Sequence, residues 1–163
     1  MTKKLILWAA GAFFAATAGS QAQDLVLRES DWAVECGLSA CSLTRSMVEE
    51  TSGNRFASLA FAFLPQAADV QMAIFTPLGS AVQQPLTMKA GAVAREMRFT
   101  TCLAEGCLVL DRLQMDEVNG LTILPVVSLS FYAAEGDTPV TLDIPLSGLG
   151  EAIARAQESL GAQ

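Results

Sequence analysis

The stretch DWAVECGLSACSL, residues 31–43, alternates apolar and polar side chains on both sides of a short break. Trp32, Val34 and Cys36 share one face of an extended chain, and the alternation resumes at Cys41 after four residues. A period of two residues is typical of a half-buried β-strand. The stretch therefore predicts two strands joined by a four-residue loop, which is a β-hairpin.

The same alternation recurs along most of the chain and predicts further strands. They cover residues 56–63, 70–74, 86–89, 95–101, 107–111, 121–132 and 140–146. The strands at 95–101 and 107–111 form a second predicted hairpin, across a four-residue loop that ends at Gly106. Pro125 predicts a bend in the long apolar run, because proline cannot donate a ladder hydrogen bond.

Two segments change from a period of two to helical spacing. Residues 113–118 predict one or two helical turns, which Asn119-Gly120 would end as a C-cap. A second helix is predicted near the C-terminus, where Ser147 or Gly148 could cap its start. Its predicted apolar stripe consists of Leu149, Ala152, Ile153, Ala156 and Leu160. We expect this stripe to dock the helix on a sheet.

Eight or nine short strands, short connections and one terminal helix predict an all-β fold, an antiparallel β-sandwich with a short C-terminal α-helix. A small barrel is the main alternative. The chain shows no low-complexity linker, charge block or repeat of domain length. Residues 23–163 are therefore expected to form a single domain.

The N-terminus reads as a secretory signal peptide, residues 1–22. Lys3 and Lys4 precede fourteen charge-free apolar residues, and Ser20-Gln21-Ala22 offers a small-x-small cleavage site. Fourteen residues are too few for a transmembrane helix, which needs about 20. We expect the leader to be cleaved and the mature protein to be periplasmic, outer-membrane associated or secreted.

The mature chain is acidic. Without Lys3 and Lys4, 8 basic residues remain against 17 acidic ones, which is a formal net charge of −9. This charge argues against nucleic acid and anionic lipid headgroups as partners. The mature chain is also expected to lack a transmembrane span.

Four cysteines occur in two similar frames, CGLSAC at 36–41 and CLAEGC at 102–107. In an oxidising export compartment an even number of cysteines usually means disulfides. A zinc site or a redox centre is the alternative, but the spacing suits neither and the chain has no histidine. Hairpin geometry favours the bridges Cys36–Cys41 and Cys102–Cys107, although four cysteines allow two other pairings. The two loop tips are candidates for a recognition surface.

The sequence offers little for catalysis, a cofactor or a metal, and we expect none of them. Without histidine, imidazole acid–base catalysis and the usual triads are excluded. A carboxylate pair of the glycosidase type stays open. The available acids are Glu49-Glu50, Asp116-Glu117, Asp31, Asp111 and Asp143. None lies in a recognisable motif, and a solvated surface explains them better.

Other residues have simple structural interpretations. Trp32 is expected in the core beside a disulfide, although a ligand platform is the alternative. Arg95 and Arg98 could form an anion-binding patch, but an ordinary solvated strand face is favoured. The methionines are expected to fill the core. They are Met47, Met72, Met88, Met97 and Met115.

Several short motifs, in order along residues 31–160, resemble the invasion-associated locus B family of Gram-negative periplasmic proteins. They are the Trp-x-Val-x-Cys strand at 32–36, Pro77-Leu78-Gly79, Gly106-Cys107, and a late apolar strand that runs into a helix. The family's late Gly-aromatic pair is Gly148-Leu149 here, and the segment after Pro77 also departs from the family pattern. The resemblance implies an immunoglobulin-like sandwich and an envelope location. It transfers no catalytic residues.

Two functions are consistent with these observations. The favoured one is a non-enzymatic envelope or periplasmic protein that binds another exported protein through a sheet edge or loop tips. The alternative is a small periplasmic hydrolase that uses a carboxylate pair. Two carboxyl groups about 5 to 10 Å apart in a cleft would favour the hydrolase.

Overall fold

A computed structural model describes residues 25–65 and 67–161 of the chain, so the predicted leader at 1–22 lies outside the described residues. In chain order the elements are β1 (Leu27–Glu29), β2 (Ala33–Cys36), β3 (Cys41–Glu49), β4 (Arg55–Phe63), β5 (Asp69–Thr76), β6 (Leu86–Ala90), β7 (Val93–Met97), β8 (Thr101–Leu103), β9 (Gly106–Gln114), α1 (Met115–Leu121), β10 (Val126–Tyr132), β11 (Pro139–Pro145) and α2 (Leu149–Gly161).

The strands form two antiparallel sheets. The large sheet has the order β1-β3-β4-β5-β9-β8, and β2 pairs with β3 on the same edge as β1. The small sheet has the order β11-β10-β6-β7. The predicted antiparallel β-sandwich with a C-terminal helix is confirmed. The predicted strands at 56–63, 70–74, 86–89 and 140–146 correspond to β4, β5, β6 and β11.

Alternate side chains of both sheets meet in one core, as the period of two predicted. The fully buried side chains include Leu43, Leu59, Phe61, Ile74 and Val109 of the large sheet, and Leu86, Leu129 and Ile144 of the small sheet. Four of the five methionines predicted as core filler are buried, and Met115 packs against the core at its edge. Ser58 lies on the opposite face of β4 yet is also buried.

The predicted strand at 95–101 is wrong, because it is two strands in different sheets. β7 pairs with β6 in the small sheet, whereas β8 pairs with β9 in the large sheet. The alternation nevertheless continues through the crossing, since Met97 is buried and Phe99 packs against the core. Both sheets of a sandwich face the same core, so a period of two gives the facing of a residue but not its sheet.

The predicted loop at 103–106 is also shorter than expected. Leu103 pairs with Gly106, so only Ala104 and Glu105 remain in the turn. Gly106 adopts a φ of +142°, and a Cβ atom there would lie 2.3 Å from the Thr76 carbonyl oxygen. Glycine therefore allows β9 to start in close contact with β5.

The predicted boundaries around α1 are wrong. Residues 113 and 114 belong to β9, and Asn119-Gly120 lies inside the helix, which ends at Leu121. The Gln114 N–H group donates to Glu117 Oε2 at 2.7 Å, which fixes Gln114 as the N-cap and the helix start at Met115. Since Leu121 is helical, β10 begins only at Val126, and Pro125 precedes the strand instead of bending it.

The terminal helix α2 lies against β2 and β3, as the predicted stripe required. Leu149, Ala152, Ile153 and Ala156 are buried, and Leu160 packs against the core. The Ala152 N–H group donates to the Gly148 carbonyl oxygen at 3.0 Å, in the first turn. Helix α2 therefore covers the first hairpin itself.

We expect Ile153→Asp to lower the free energy of unfolding by about 2 to 3 kcal/mol, because it replaces buried apolar area by a carboxylate. Ala154→Asp is the matched control, since Ala154 is the next residue of α2 and is exposed. Urea denaturation of both variants checks the expectation. If both unfold like the parent protein, α2 does not stabilise the domain.

Candidate functional site

The first hairpin presents a loop that is closed twice at its base. Cys36 pairs directly with Cys41 between β2 and β3, and their Sγ atoms are 2.02 Å apart. Inside this closure the Gly37 N–H group donates to the Ala40 carbonyl oxygen at 2.8 Å. The four-residue loop at 37–40 matches the prediction. Because its two ends are held together, the loop loses little conformational entropy when it binds a partner.

The loop is anchored in the core at one end and exposed at its tip. The Leu38 side chain is 96% exposed, whereas Cys41 is fully buried. The Cys41 Sγ atom lies 3.5 Å from the Ala156 carbonyl oxygen of α2. This is a packing contact, because a disulfide sulfur carries no hydrogen to donate. A fixed base thus holds a fully exposed leucine.

A shallow concavity of about 460 Å³ lies beside this loop, lined by residues 35–42 and Ala62. We call this surface the stapled corner. Leu64 adds a second exposed apolar side chain at the same end of the large sheet, because it follows Phe63, the β4 partner of Cys41. The carboxylate of Glu35 is also exposed there. The corner thus combines apolar tips with an acidic margin.

The second cysteine pair, Cys102 and Cys107, lies at the opposite corner of the large sheet. Its Sγ atoms are 2.00 Å apart. Cys107 lies three strands away from Cys41 and at the other end of the ladder. Inter-strand steps of about 4.8 Å and residue rises of about 3.3 Å separate the two bridges by roughly 25 Å. The two loop tips therefore do not form one recognition surface.

Among the described residues, two candidate acids come together at one place, where both form ion pairs with Arg95. Its Nη1 donates to Asp111 Oδ2 at 2.8 Å, and its Nη2 donates to Glu117 Oε1 at 2.6 Å. The hydrogen bond to Asp111 raises the pKa of Arg95 above its ordinary value, and the charges of Asp111 and Glu117 add to this rise. A base whose pKa is raised in the folded state stabilises that state at every pH below its ordinary pKa, so the Arg95 guanidinium introduces no pH dependence in the physiological range.

The arginine patch suggested by the sequence is not formed. Arg95 points into the gap between the sheets and is neutralised there, whereas Arg98 is exposed. Among the described residues no other candidate acid forms an ion pair with Arg95. Glu49 binds the hydroxyl groups of the following turn, and Asp143 accepts a hydrogen bond from Ser128.

Trp32 is part of the core, as expected, and also anchors α2. Its ring stacks on Phe61 with a centroid distance of 6.0 Å, and its Nε1 donates to the Ser147 carbonyl oxygen at 3.1 Å. Arg45 Nη1 donates to the same oxygen at 2.7 Å, and its guanidinium carbon lies 5.9 Å from the Trp32 ring centroid. The ligand-platform alternative for Trp32 is therefore not favoured, because the residue is only 7% exposed.

Comparison with known families adds an independent observation. The sequence model of the invasion associated locus B (IalB) protein family matches residues 29–157. The chain belongs to the invasion-associated locus B family. The match spans both cysteine pairs, the sandwich and most of α2.

The crystal structure of invasion associated protein B from Bartonella henselae has the same fold. It superposes with a TM-score of 0.71 at 23% sequence identity, over 81% of this chain and 94% of the Bartonella chain. No curated protein sequence matches this invasion-associated locus B chain significantly. None of its described helices is long and apolar enough to cross a membrane.

Sequence reasoning did not predict that three charged side chains of the described strands face inward; it named Arg95 and Asp111 without this orientation and did not single out Arg45. Arg45 lies between Leu43 and Met47 in the core register of β3 and is only 4% exposed. Asp111 and Arg95 occupy inward positions of β9 and β7, where they meet across the two sheets. The available signal was a charge at a position where the period of two predicts an apolar residue.

Proposed function

We propose that this invasion-associated locus B protein is an exported, non-enzymatic binding module that contacts another envelope or exported protein through the stapled corner. The observation that carries the proposal is the 96% exposure of Leu38 on a loop held at its base. An apolar side chain in this position loses no contacts on the protein itself when a partner covers it. Because the loop is already ordered, more of the gained contact energy appears as affinity.

We further propose that residues 1–22 are removed, that the mature single domain starts at or near Gln23, and that both bridges form in the periplasm. Family membership and the two cysteine pairs at bonding distance support an exported protein. The mass of the exported chain is the check. A chain that still begins at Met1 would contradict this proposal.

The hydrolase alternative receives less support from the geometry. Asp111 and Glu117 are the acids gathered in one place, but the Arg95 guanidinium lies between them. A glycosidic bond would have to occupy that same space. The described residues also contain no group of three or more His, Cys, Asp or Glu side chains suited to a metal ion. The position of Arg95 between the two acids supports a binding role over a carboxylate-pair hydrolase.

We expect Leu38→Ser to reduce partner capture at least tenfold, because it removes the apolar tip of the stapled corner. The measurement is photocrosslinking in intact cells from a reactive residue at position 39, followed by mass spectrometry of the adduct. Ile123→Ser is the matched control, since Ile123 is 84% exposed but lies between α1 and β10.

Both variants should melt like the parent protein, because substitutions at exposed positions change the free energy of unfolding by about 0.5 kcal/mol or less. A Leu38→Ser protein that captures the same adduct at the parent yield would contradict the proposal. Equal losses in Leu38→Ser and Ile123→Ser would contradict it too, since the contact would then not be specific to the corner.

A further inference from the structure

A cleft of about 240 Å³ opens between the two sheets at the β7 side of the sandwich. Its inner wall consists of Met88, Ala90, Leu113 and Leu121, all of them less than 10% exposed. The cleft opens at the protein surface, and its inner wall is made of apolar side chains of the core. An apolar cavity of about 150 Å³ is already enough to bind benzene.

Charged groups converge at the mouth of this cleft. Arg95 and Glu117 line it, and Arg95 bridges Asp111 and Glu117. The Glu117 oxygens accept from Arg95 and from the Gln114 N–H group, and the Asp111 oxygens accept from Arg95 and from the Arg112 N–H group. Each of the four carboxylate oxygens therefore already has a donor.

Arg95 keeps spare donors. A guanidinium has five N–H donors, and the bonds to Asp111 and Glu117 use one on Nη1 and one on Nη2. Its side chain is 30% exposed, so a ligand can reach it. The group of Arg95, Asp111 and Glu117 carries a net charge of −1, which repels an anion. Of the three charged groups only Arg95 and Glu117 line the cleft, so its charged lining is formally neutral, and a cation inside it would be repelled by the Arg95 guanidinium. A neutral oxygen acceptor fits best.

We propose that this cleft binds a small neutral acyl compound, such as an ester, lactone or amide. Its carbonyl oxygen accepts a hydrogen bond from Arg95, and its alkyl chain lies against Met88, Leu113 and Leu121. At the packing density of a protein interior, the cleft holds a chain of about six to eight carbons. This site is separate from the stapled corner and does not depend on the proposed protein partner.

Three probes of similar size and different charge test the proposal on the purified exported protein: methyl hexanoate, hexanoate and hexylammonium. Titration is followed by the NMR shifts of the Met88 and Leu121 methyl groups. We expect saturable shifts with methyl hexanoate and at least tenfold weaker binding of the two ions. No saturable shift with the ester, or equal binding of all three probes, would overturn the proposal.

A blocking variant tests whether the ester binds in this cleft. Gly120 lines the cleft, and a Cβ atom there would have no neighbour within 4 Å. The Cβ atom of Gly120→Leu therefore lies in open space, and we expect the rest of the side chain to occupy the cleft; leucine also favours the helix more than glycine does. We expect it to weaken methyl hexanoate at least tenfold, whereas Asn119→Leu, beside it and outside the cleft lining, leaves binding unchanged. Undiminished binding to Gly120→Leu would overturn the assignment to this cleft.

Discussion

Gly106→Ala is expected to destabilise the protein by about 4 kcal/mol, through two effects at one position. The φ of +142° lies where side chains other than glycine are strained, which costs about 1 to 3 kcal/mol. The new Cβ atom would also lie 2.3 Å from the Thr76 carbonyl oxygen, which belongs to the backbone of β5 and cannot rotate away. The β5–β9 ladder must separate locally to make room.

Gly53→Ala is the control that isolates the second effect. Gly53 also has a positive φ, of +71°, but a Cβ atom there would meet nothing within 4 Å. We expect Gly53→Ala to lose only about 1 kcal/mol. Urea denaturation of both variants measures the difference. Similar losses in the two would show that the close approach of β9 to β5 adds nothing.

Trp32→Ala is expected to lower the free energy of unfolding by about 3 to 5 kcal/mol, since it removes a large buried side chain and leaves a cavity. The cavity would open beside Phe61, and the Ser147 carbonyl oxygen would lose one of its two side-chain donors. Both effects reach the start of α2. Amide hydrogen exchange in α2 should therefore increase more than exchange in β9.

Trp32→Phe distinguishes the contribution of the aromatic ring from that of the Nε1 hydrogen bond. It keeps an aromatic ring against Phe61 and loses the Nε1 donor, so we expect a loss of about 1 to 2 kcal/mol. A Trp32→Ala protein that loses less than about 1.5 kcal/mol would mean that Trp32 does not organise this end of the core.

The sequence predicted those parts of the fold that depend on local pattern. The alternation around Cys36 and Cys41 placed the first hairpin and its pairing, and the helical stripe at Ile153 placed α2. These predictions were correct because the period of the apolar side chains indicates which face of an element is buried. The exposed tip at Leu38 follows from the same hairpin, since a four-residue loop extends beyond the sheet.

The features that were predicted wrongly or not at all depend on contacts between residues that are distant in sequence. The period of two cannot assign a strand to one sheet of a sandwich, so residues 95–101 were predicted as one strand. The ion pairs of Arg95 join β7 to β9 and α1, over 16 and 22 residues of sequence. No local pattern specifies such a contact. The charges at inward positions, Arg95 and Asp111, indicate this contact only once the assignment of the strands to the two sheets is known.

The central claim is that the stapled corner, held by its bridge, is the contact site. Its most direct test is photocrosslinking from position 39 in a Cys36→Ala/Cys41→Ala protein, compared with a Cys102→Ala/Cys107→Ala protein. Closing a loop of this size contributes only about 2 kcal/mol, so both variants should remain folded. We predict that opening the first bridge abolishes the adduct and that opening the second leaves it at the parent yield. An adduct that survives loss of the first bridge, or that disappears equally in both variants, would contradict the account.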